Sequence, residues 1–247
     1  MDRILATLMF FTRLPFWRIK QVDAEHFKHV VPFWPLAGWL TGGIMVGVLW
    51  LSAQILPLST AWLIAIVARL LVTGCLHEDG LADFFDGMGG GVTRERVLTI
   101  MKDSHIGTYG VIGLIIYFLL LIQMSAFPLT LLCPIVFVGD VWSKFVSSHI
   151  INILPYARKE EDAKNKTVYQ RMSAIEAFIG ALLGTIPAVV FLPQTYWPAL
   201  LAPVAVFILL VWLMKRRIQG YTGDCCGALF LICELSYLLT CLVIHHY

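Results

Sequence analysis

Charge is what this chain has least of: only 14% of its 247 residues are Asp, Glu, Lys or Arg, roughly half the share in a soluble domain. With 59% hydrophobic residues and a mean hydropathy of +0.79, the composition excludes an ordinary water-soluble globule and indicates an integral membrane protein. A net charge of +2, with no basic stripe carrying interleaved aromatics, excludes a nucleic-acid-binding surface. The six cysteines (Cys75, Cys133, Cys225, Cys226, Cys233, Cys241) lie in or beside apolar runs without paired C-x-x-C spacing, which argues against disulfides and a zinc site. The apolar stretch 4–11, bracketed by Arg3 and Arg13, is too short to span a bilayer and has no small-residue cleavage site after it. It is therefore expected to be an interfacial helix, not a signal peptide.

What the chain has in abundance is apolar runs of about 20 residues, the length that crosses a hydrocarbon core. They fall near 33–56, 58–76, 108–127, 129–151, 174–192, 196–214 and 226–244. The expected fold is an all-α integral membrane protein, a polytopic helical bundle of about seven transmembrane helices. Basic residues orient it. Of the 18 Lys and Arg, Arg69 and Lys144 lie within spans and the other sixteen fall in connections on one side, including Lys159, Lys164 and Lys166. The opposite connections, around Pro57, Pro128 and 193–197, carry no charge, so the positive-inside rule places the N-terminus in the cytoplasm and Tyr247 outside. With no repeat or low-complexity tract, one membrane-embedded domain over 1–247 is expected, with 1–32 as a cytoplasmic or interfacial segment and 77–107 as a cytoplasmic active-site segment.

That segment holds the densest chemistry. His77-Glu78-Asp79-Gly80-Leu81-Ala82-Asp83-Phe84-Phe85-Asp86-Gly87 places four carboxylates in nine residues. On a helix, Asp79, Asp83 and Asp86 project from one face while Glu78 turns about 100° away. Three carboxylates on one stripe repel unless a divalent ion compensates them. Glu78, Asp79, Asp83 and Asp86 are the candidate Mg²⁺ ligands. Glycines 87 and 89–91 follow, then Lys102-Asp103-Ser104-His105-Ile106-Gly107-Thr108-Tyr109-Gly110, an order of carboxylates, flexible chain, cations and hydroxyls suited to a metal-bound phosphate ester. Gly220-Tyr221-Thr222-Gly223-Asp224 opens the last span on the same side, with Asp224 either a helix-capping residue or part of the site. Arg13, in Phe11-Thr12-Arg13-Leu14-Pro15, suits either a lipid headgroup or a substrate phosphate. Within the spans, Asp140 and Lys144 are spaced to neutralise each other or, with Arg69 and Glu234, to line a polar cavity. Gly38-x-x-x-Gly42, Gly43-x-x-x-Gly47 and Gly180-x-x-x-Gly184 are expected at helix contacts.

Together these segments, with Leu154-Pro155-Tyr156-Ala157-Arg158, resemble the adenosylcobinamide-GDP ribazoletransferase (cobalamin synthase) family over essentially the whole chain. Where that family carries Ser-Arg in the fourth span, this chain has Ser143-Lys144, which keeps a charge and loses a bidentate fork. The resemblance implies a Mg²⁺-dependent enzyme of the bacterial inner membrane, near the end of cobalamin biosynthesis. It would join GDP-activated adenosylcobinamide to α-ribazole or its 5′-phosphate and release GMP. Asp83, Asp86 and His105 are the expected catalytic residues, with Asp86 or His105 as base, and Arg13, Lys102, Asp224 and Lys144 the expected substrate or phosphate contacts. The implied partners are the two small-molecule substrates and the lipid bilayer, with homo-oligomerisation left open. Two other classes fit less of the pattern. A CDP-alcohol-type lipid phosphotransferase would carry the fuller Asp-Gly-x-x-Ala-Arg motif, and a secondary transporter would place its acidic density at the membrane midplane.

Overall fold

The computed structural model describes residues 1–158 and 168–247, so Lys159, Lys164 and Lys166 lie outside the described residues. Among the described residues, β pairing is confined to an isolated bridge between Tyr156 and Tyr221. The helices are α1 (Asp2–Phe11), α2 (Trp34–Ser52), α3 (Leu58–Thr73), α4 (Leu76–Gly90), α5 (Arg94–Lys102), α6 (Thr108–Ile122), α7 (Leu129–Ser148), α8 (Ile150–Ile153), α9 (Ala174–Phe191), α10 (Leu201–Ile218) and α11 (Gly223–His246). Their ends follow local chemistry. Pro57 and Pro128 precede α3 and α7, Thr93 and Thr222 cap α5 and α11, and Ser173 with Glu176 forms a reciprocal capping box on α9.

Among the described residues, six helical stretches are long and apolar enough to cross a membrane: Val31–Ser52, Thr108–Ala126, Leu129–Ile153, Ala174–Phe191, Gln194–Ile218 and Gly223–His246. They match six of the seven expected runs. The remaining one, 58–76, becomes α3, whose 16 residues measure about 24 Å at 1.5 Å each, short of a hydrocarbon core of about 30 Å. The chain then turns through 88° into α4, and the bent pair Leu58–Thr73 with Leu76–Gly90 is long and apolar enough together, which makes seven spans when the pair is counted as one. Two consecutive left-handed residues make the turn, Gly74 at φ 65° and Cys75 at φ 58°. A side chain at Gly74 would also strike Arg13, whose own N–H donates to the Val72 carbonyl at 2.7 Å. The bend is thus braced by the end of α1.

The segment 77–107 is accordingly two helices, of which α4 is packed into the bundle instead of standing in water. It crosses the first turns of α6 and α11. A Cβ on Gly80 would lie 3.0 Å from the Asp224 carbonyl oxygen, and one on Gly227 would lie 3.0 Å from the His77 carbonyl oxygen, so the two backbones meet with no side chain between them. The central helices are α7 and α11, 56% of whose spans are buried against 28% for α6 and α9, which face outward. Gly38 and Gly42 seat α2 on α7 at Val141 and Asp140, as the small-residue spacing leads one to expect, and Gly180 and Gly184 meet Pro32 and Phe145. Gly43 and Gly47 have no neighbour that a side chain would meet.

Buried charges tie these helices together. Arg69 of α3 donates through Nη1 to both carboxylate oxygens of Glu234 on α11, at 2.6 and 2.8 Å, and through Nη2 to the Tyr117 hydroxyl of α6 at 2.7 Å. Lys144 pairs with Asp140 one turn away on α7 and donates to Thr41 of α2 at 3.1 Å, its ammonium 4.1 Å from the centre of the Phe230 ring. In hydrocarbon such charges persist only where they find one another. The intramembrane charges therefore serve as cross-links between spans.

Candidate active site

The helical spacing of Asp79, Asp83 and Asp86 is realised, because α4 runs unbroken through all three. Their surroundings differ. Asp79 is exposed and lines a cavity of about 130 Å³ between α1, α4 and the start of α11, and Asp224 lines the same cavity. Asp83, one turn further along, is buried. Asp86 is also buried and accepts the backbone N–H of Gly107 at 2.7 Å and of Gly110 at 2.8 Å, closing the N-terminus of α6. The structure thus gives Asp86 a different task from the metal ligand or base expected of it: its charge answers the positive end of α6.

Glu78 departs from the expected ligand set for the reason its 100° offset implies. It is buried, with Oε1 3.9 Å from Arg69 Nη2 and Oε2 without a partner, and so belongs to the interior charge cluster. Lys144 is likewise enclosed by Asp140, Thr41 and Phe230, so the structure places it in the interior charge cluster and not among the lining residues of either of these two cavities. His105 stands with 90% of its side chain exposed beside Asp103, its Nδ1 2.7 Å from an Asp103 oxygen. That contact holds the Asp103 carboxyl below its usual range. His105 lies two residues from Gly107, at the Asp86 end of α4, away from the Asp79 cavity. Lys102 is exposed at the end of α5. Arg13 lines a second cavity, of about 410 Å³, separated from the first by Phe10 and Leu76, which line both.

Asp224 is not the cap of α11. Thr222 fills that position, its hydroxyl accepting from the Cys225 N–H at 3.3 Å, which leaves Asp224 in the first turn and on the cavity wall. The cavity also gathers residues to which the sequence motifs assign no role. Tyr156 and Arg158 arrive on a segment held to the start of α11 by two backbone bonds, Ala157 N–H to Tyr221 O at 2.8 Å and Tyr221 N–H to Pro155 O at 3.0 Å. Arg158 spends one donor on the Leu98 carbonyl at 2.9 Å, keeping α5 against the site. Burial pushes the Tyr156 phenol up to about 12, so it is a neutral donor at any physiological pH and is excluded as a base. Tyr169, whose phenol burial also raises, completes this side.

A divalent cation fits this donor set by chemistry. Asp79, Asp83 and Asp224 supply only hard oxygen. Among the described residues no three His, Cys, Asp or Glu side chains stand together as a group that could hold a metal ion. Mg²⁺ is ordinarily held by one or two carboxylates, its remaining positions left to water and substrate phosphate, so an open arrangement suits it better than it suits Ca²⁺ or Zn²⁺.

Comparison with known proteins bears on the same residues. A family model described as cobalamin-5-phosphate synthase matches residues 3–242. Proteins named adenosylcobinamide-GDP ribazoletransferase are similar throughout: one from Shewanella sp. (strain W3-18-1) is 34% identical and one from Shewanella oneidensis 33%, each match covering 98% of this chain and 94% of the relative. No solved structure matches the chain. With a buried carboxylate helix laid across an apolar bundle and a family match over nearly its full length, the chain belongs to the cobalamin-5-phosphate synthase family of adenosylcobinamide-GDP ribazoletransferases.

Proposed function

We propose that this protein joins adenosylcobinamide-GDP to α-ribazole, or to its 5′-phosphate, in a Mg²⁺-dependent reaction that releases GMP, on the cytoplasmic face of a bacterial inner membrane. The carrying observation is that Asp79 of α4 and Asp224 of α11 line one cavity together with Arg158. Oxygen ligands and a cation side by side are what a diphosphate ester requires.

In this reading Asp79 and Asp224 would hold the metal at the cavity, with Asp83 adding negative charge one turn along α4, and the ion would supply charge neutralisation for the diphosphate oxygens and the departing GMP. Arg158 donates to phosphate oxygens from the opposite wall, and Tyr156 adds a neutral hydrogen bond. A hydroxyl of the ribazole attacks the phosphorus that carries the cobinamide. The new bond is ribazole oxygen to phosphorus, and the bond broken links that phosphorus to the GMP unit. The hydroxyl proton passes to a carboxylate of the cluster. Asp79 is the best placed, being exposed at the cavity, whereas Asp86 is engaged by α6 and His105 stands apart. Phe10, Phe11 and Trp34 keep bulk water from one side of the reaction.

The test is turnover of the purified protein in lipid nanodiscs with adenosylcobinamide-GDP, α-ribazole 5′-phosphate and Mg²⁺, scored by GMP release. Asp79→Asn and Asp83→Asn are expected to lower the rate by roughly 10²-fold or more through lost preorganised charge. Wild-type turnover in both at limiting Mg²⁺ would remove the α4 stripe from the chemistry. Orientation is tested separately: a reporter fused after Tyr247 is expected to report from outside.

A further inference from the structure

We infer that Arg94 is a positioning residue for Arg158: it grips the peptide that leads into Arg158 and so fixes where that guanidinium meets substrate phosphate. This rests on the phosphate role proposed for Arg158 above and adds the residue that aims it. Arg94 is not among the lining residues of either cavity. It is the first residue of α5, where a cation faces the positive end of its own helix. Its place is therefore not explained by α5.

The explanation lies in what its side chain reaches. Nε donates to the Ile218 carbonyl at 2.9 Å and Nη2 to the Ala157 carbonyl at 2.7 Å. Ile218 is the last residue of α10, so its carbonyl is one of those that a helix leaves without an intrahelical partner, and a cation at that end is favourable. The Ala157 carbonyl belongs to the peptide that joins Ala157 to Arg158. One planar guanidinium thus fastens that peptide to the end of a membrane-spanning helix. Arg217, in the last turn of α10, makes the return contact by donating to the Met88 and Gly91 carbonyls at the end of α4. Of these two arginines, Arg94 is the one whose bonds continue to the site.

The segment it holds is otherwise fixed from one side only. The Ala157 N–H donates to Tyr221 O at 2.8 Å and the Tyr221 N–H to Pro155 O at 3.0 Å. A Cβ on Gly220 would lie 2.5 Å from the Pro155 carbonyl oxygen, so the segment rests directly on the turn between α10 and α11. Ala157 is buried, and the residues on either side of it, Tyr156 and Arg158, line the cavity with Asp79 and Asp224. With Arg94 removed, the Ala157 N–H keeps Tyr221 while the carbonyl on the other side of the residue loses this partner. The peptide set loose is the one that leads to Arg158, a long side chain whose direction depends on how its backbone is held.

The test is a double-mutant cycle read by binding, independently of turnover. Wild type, Arg158→Ala, Arg94→Ala and the double variant in nanodiscs are titrated calorimetrically with inorganic pyrophosphate in the presence of Mg²⁺. Arg158→Ala is expected to weaken binding by roughly tenfold or more, the effect of a lost hydrogen bond from a charged group. Arg94→Ala is expected to weaken it by roughly threefold or more in the wild-type background and by nothing further in the Arg158→Ala background, because Arg94 acts through Arg158. A merely structural Arg94 would weaken binding equally in both. Arg94→Lys keeps the cation at the end of α10 without the fork that spans two carbonyls; it is expected to bind with an affinity between those of Arg94→Ala and wild type, and it carries the same cycle if Arg94→Ala does not fold. Equal effects in the two backgrounds, wild-type affinity in the Arg94 variants, an Arg158→Ala protein that binds like wild type, or no binding of pyrophosphate by wild type would each overturn the assignment. GMP release is run alongside: no GMP from wild type would overturn the reaction, while the titration still decides the role of Arg94.

Discussion

Asp86→Asn should separate the structural aspartate of the motif from the chemical ones. Both carboxylate oxygens of Asp86 accept backbone N–H groups, from Gly107 at 2.7 Å and Gly110 at 2.8 Å, and the side chain is buried. An amide can satisfy only one of those donors, as a neutral acceptor, and it sets its own NH₂ against the other. A hydrogen bond to a charged group contributes about 1.5–3 kcal/mol, and a charge at a helix N-terminus up to about 1 more. Losing one such bond and weakening the second gives about 3 kcal/mol. For a chain of this size that corresponds to a fall of about 6–12 °C in Tm, at about 2–4 °C per kcal/mol. Asp83→Asn removes a charge from the same stripe and is expected to lose turnover. The assay is thermal unfolding in nanodiscs, followed by GMP release well below both transitions. An Asp86→Asn protein that melts like the wild type yet turns over no better than Asp83→Asn would refute the capping assignment and return Asp86 to the metal or to the base.

Three further outcomes follow from the same geometry. Thr222→Ala removes the cap of α11 and is expected to cost about 1 kcal/mol of stability with turnover kept, whereas Asp224→Asn should melt normally and lose GMP release by roughly 10²-fold; the reverse pattern in paired melting and activity curves would exchange their roles. Breaking the Arg69–Glu234 pair with Arg69→Met is expected to cost about 3–5 kcal/mol, and Arg69→Met with Glu234→Met should recover most of it, since what destabilises is the charge left alone; a double variant no better than the single, measured by chemical unfolding in micelles, would refute this. Because burial raises the Tyr156 phenol to about 12 in the folded protein against about 10 when unfolded, its contribution is intact below pH 10 and is lost as pH rises toward 12. Tyr156→Phe should therefore soften the alkaline loss of stability, and identical alkaline melting curves for variant and wild type would contradict it.

What the sequence makes legible, and what it leaves hidden, follows from the range of each interaction. A bilayer imposes length and apolarity on every span, so six of the seven runs can be read to within a few residues. The seventh, 58–76, is apolar as expected but bends at its end, where Cys75 takes a left-handed conformation that cysteine composition does not announce, so it counts as a span together with α4. The stripe of Asp79, Asp83 and Asp86 is legible because it is a property of one helix, and so is the pairing of Lys144 with Asp140, four residues apart. The division of labour within the stripe is not, since it is set by what packs opposite: the cavity for Asp79, the N–H groups of α6 for Asp86, and Arg69 for the off-stripe Glu78. Some of it has a local signal. Glu78 already sits about 100° from the stripe, which separates it from the other three before any neighbour is known. Gly107 and Gly110 sit where a helix begins with unpaired N–H groups that call for an anion, and a Cβ on either would run into the Asp86 carboxylate. The aromatic wall is the least legible part. Phe11, Trp34, His77, Tyr156 and Tyr169 are scattered over three-fifths of the chain, and each by itself looks like ordinary membrane-protein packing. Only the 88° bend, which turns α4 across the ends of α6 and α11, brings His77 onto Trp34 and Asp79 toward Asp224, so the site is a consequence of that bend more than of any one motif.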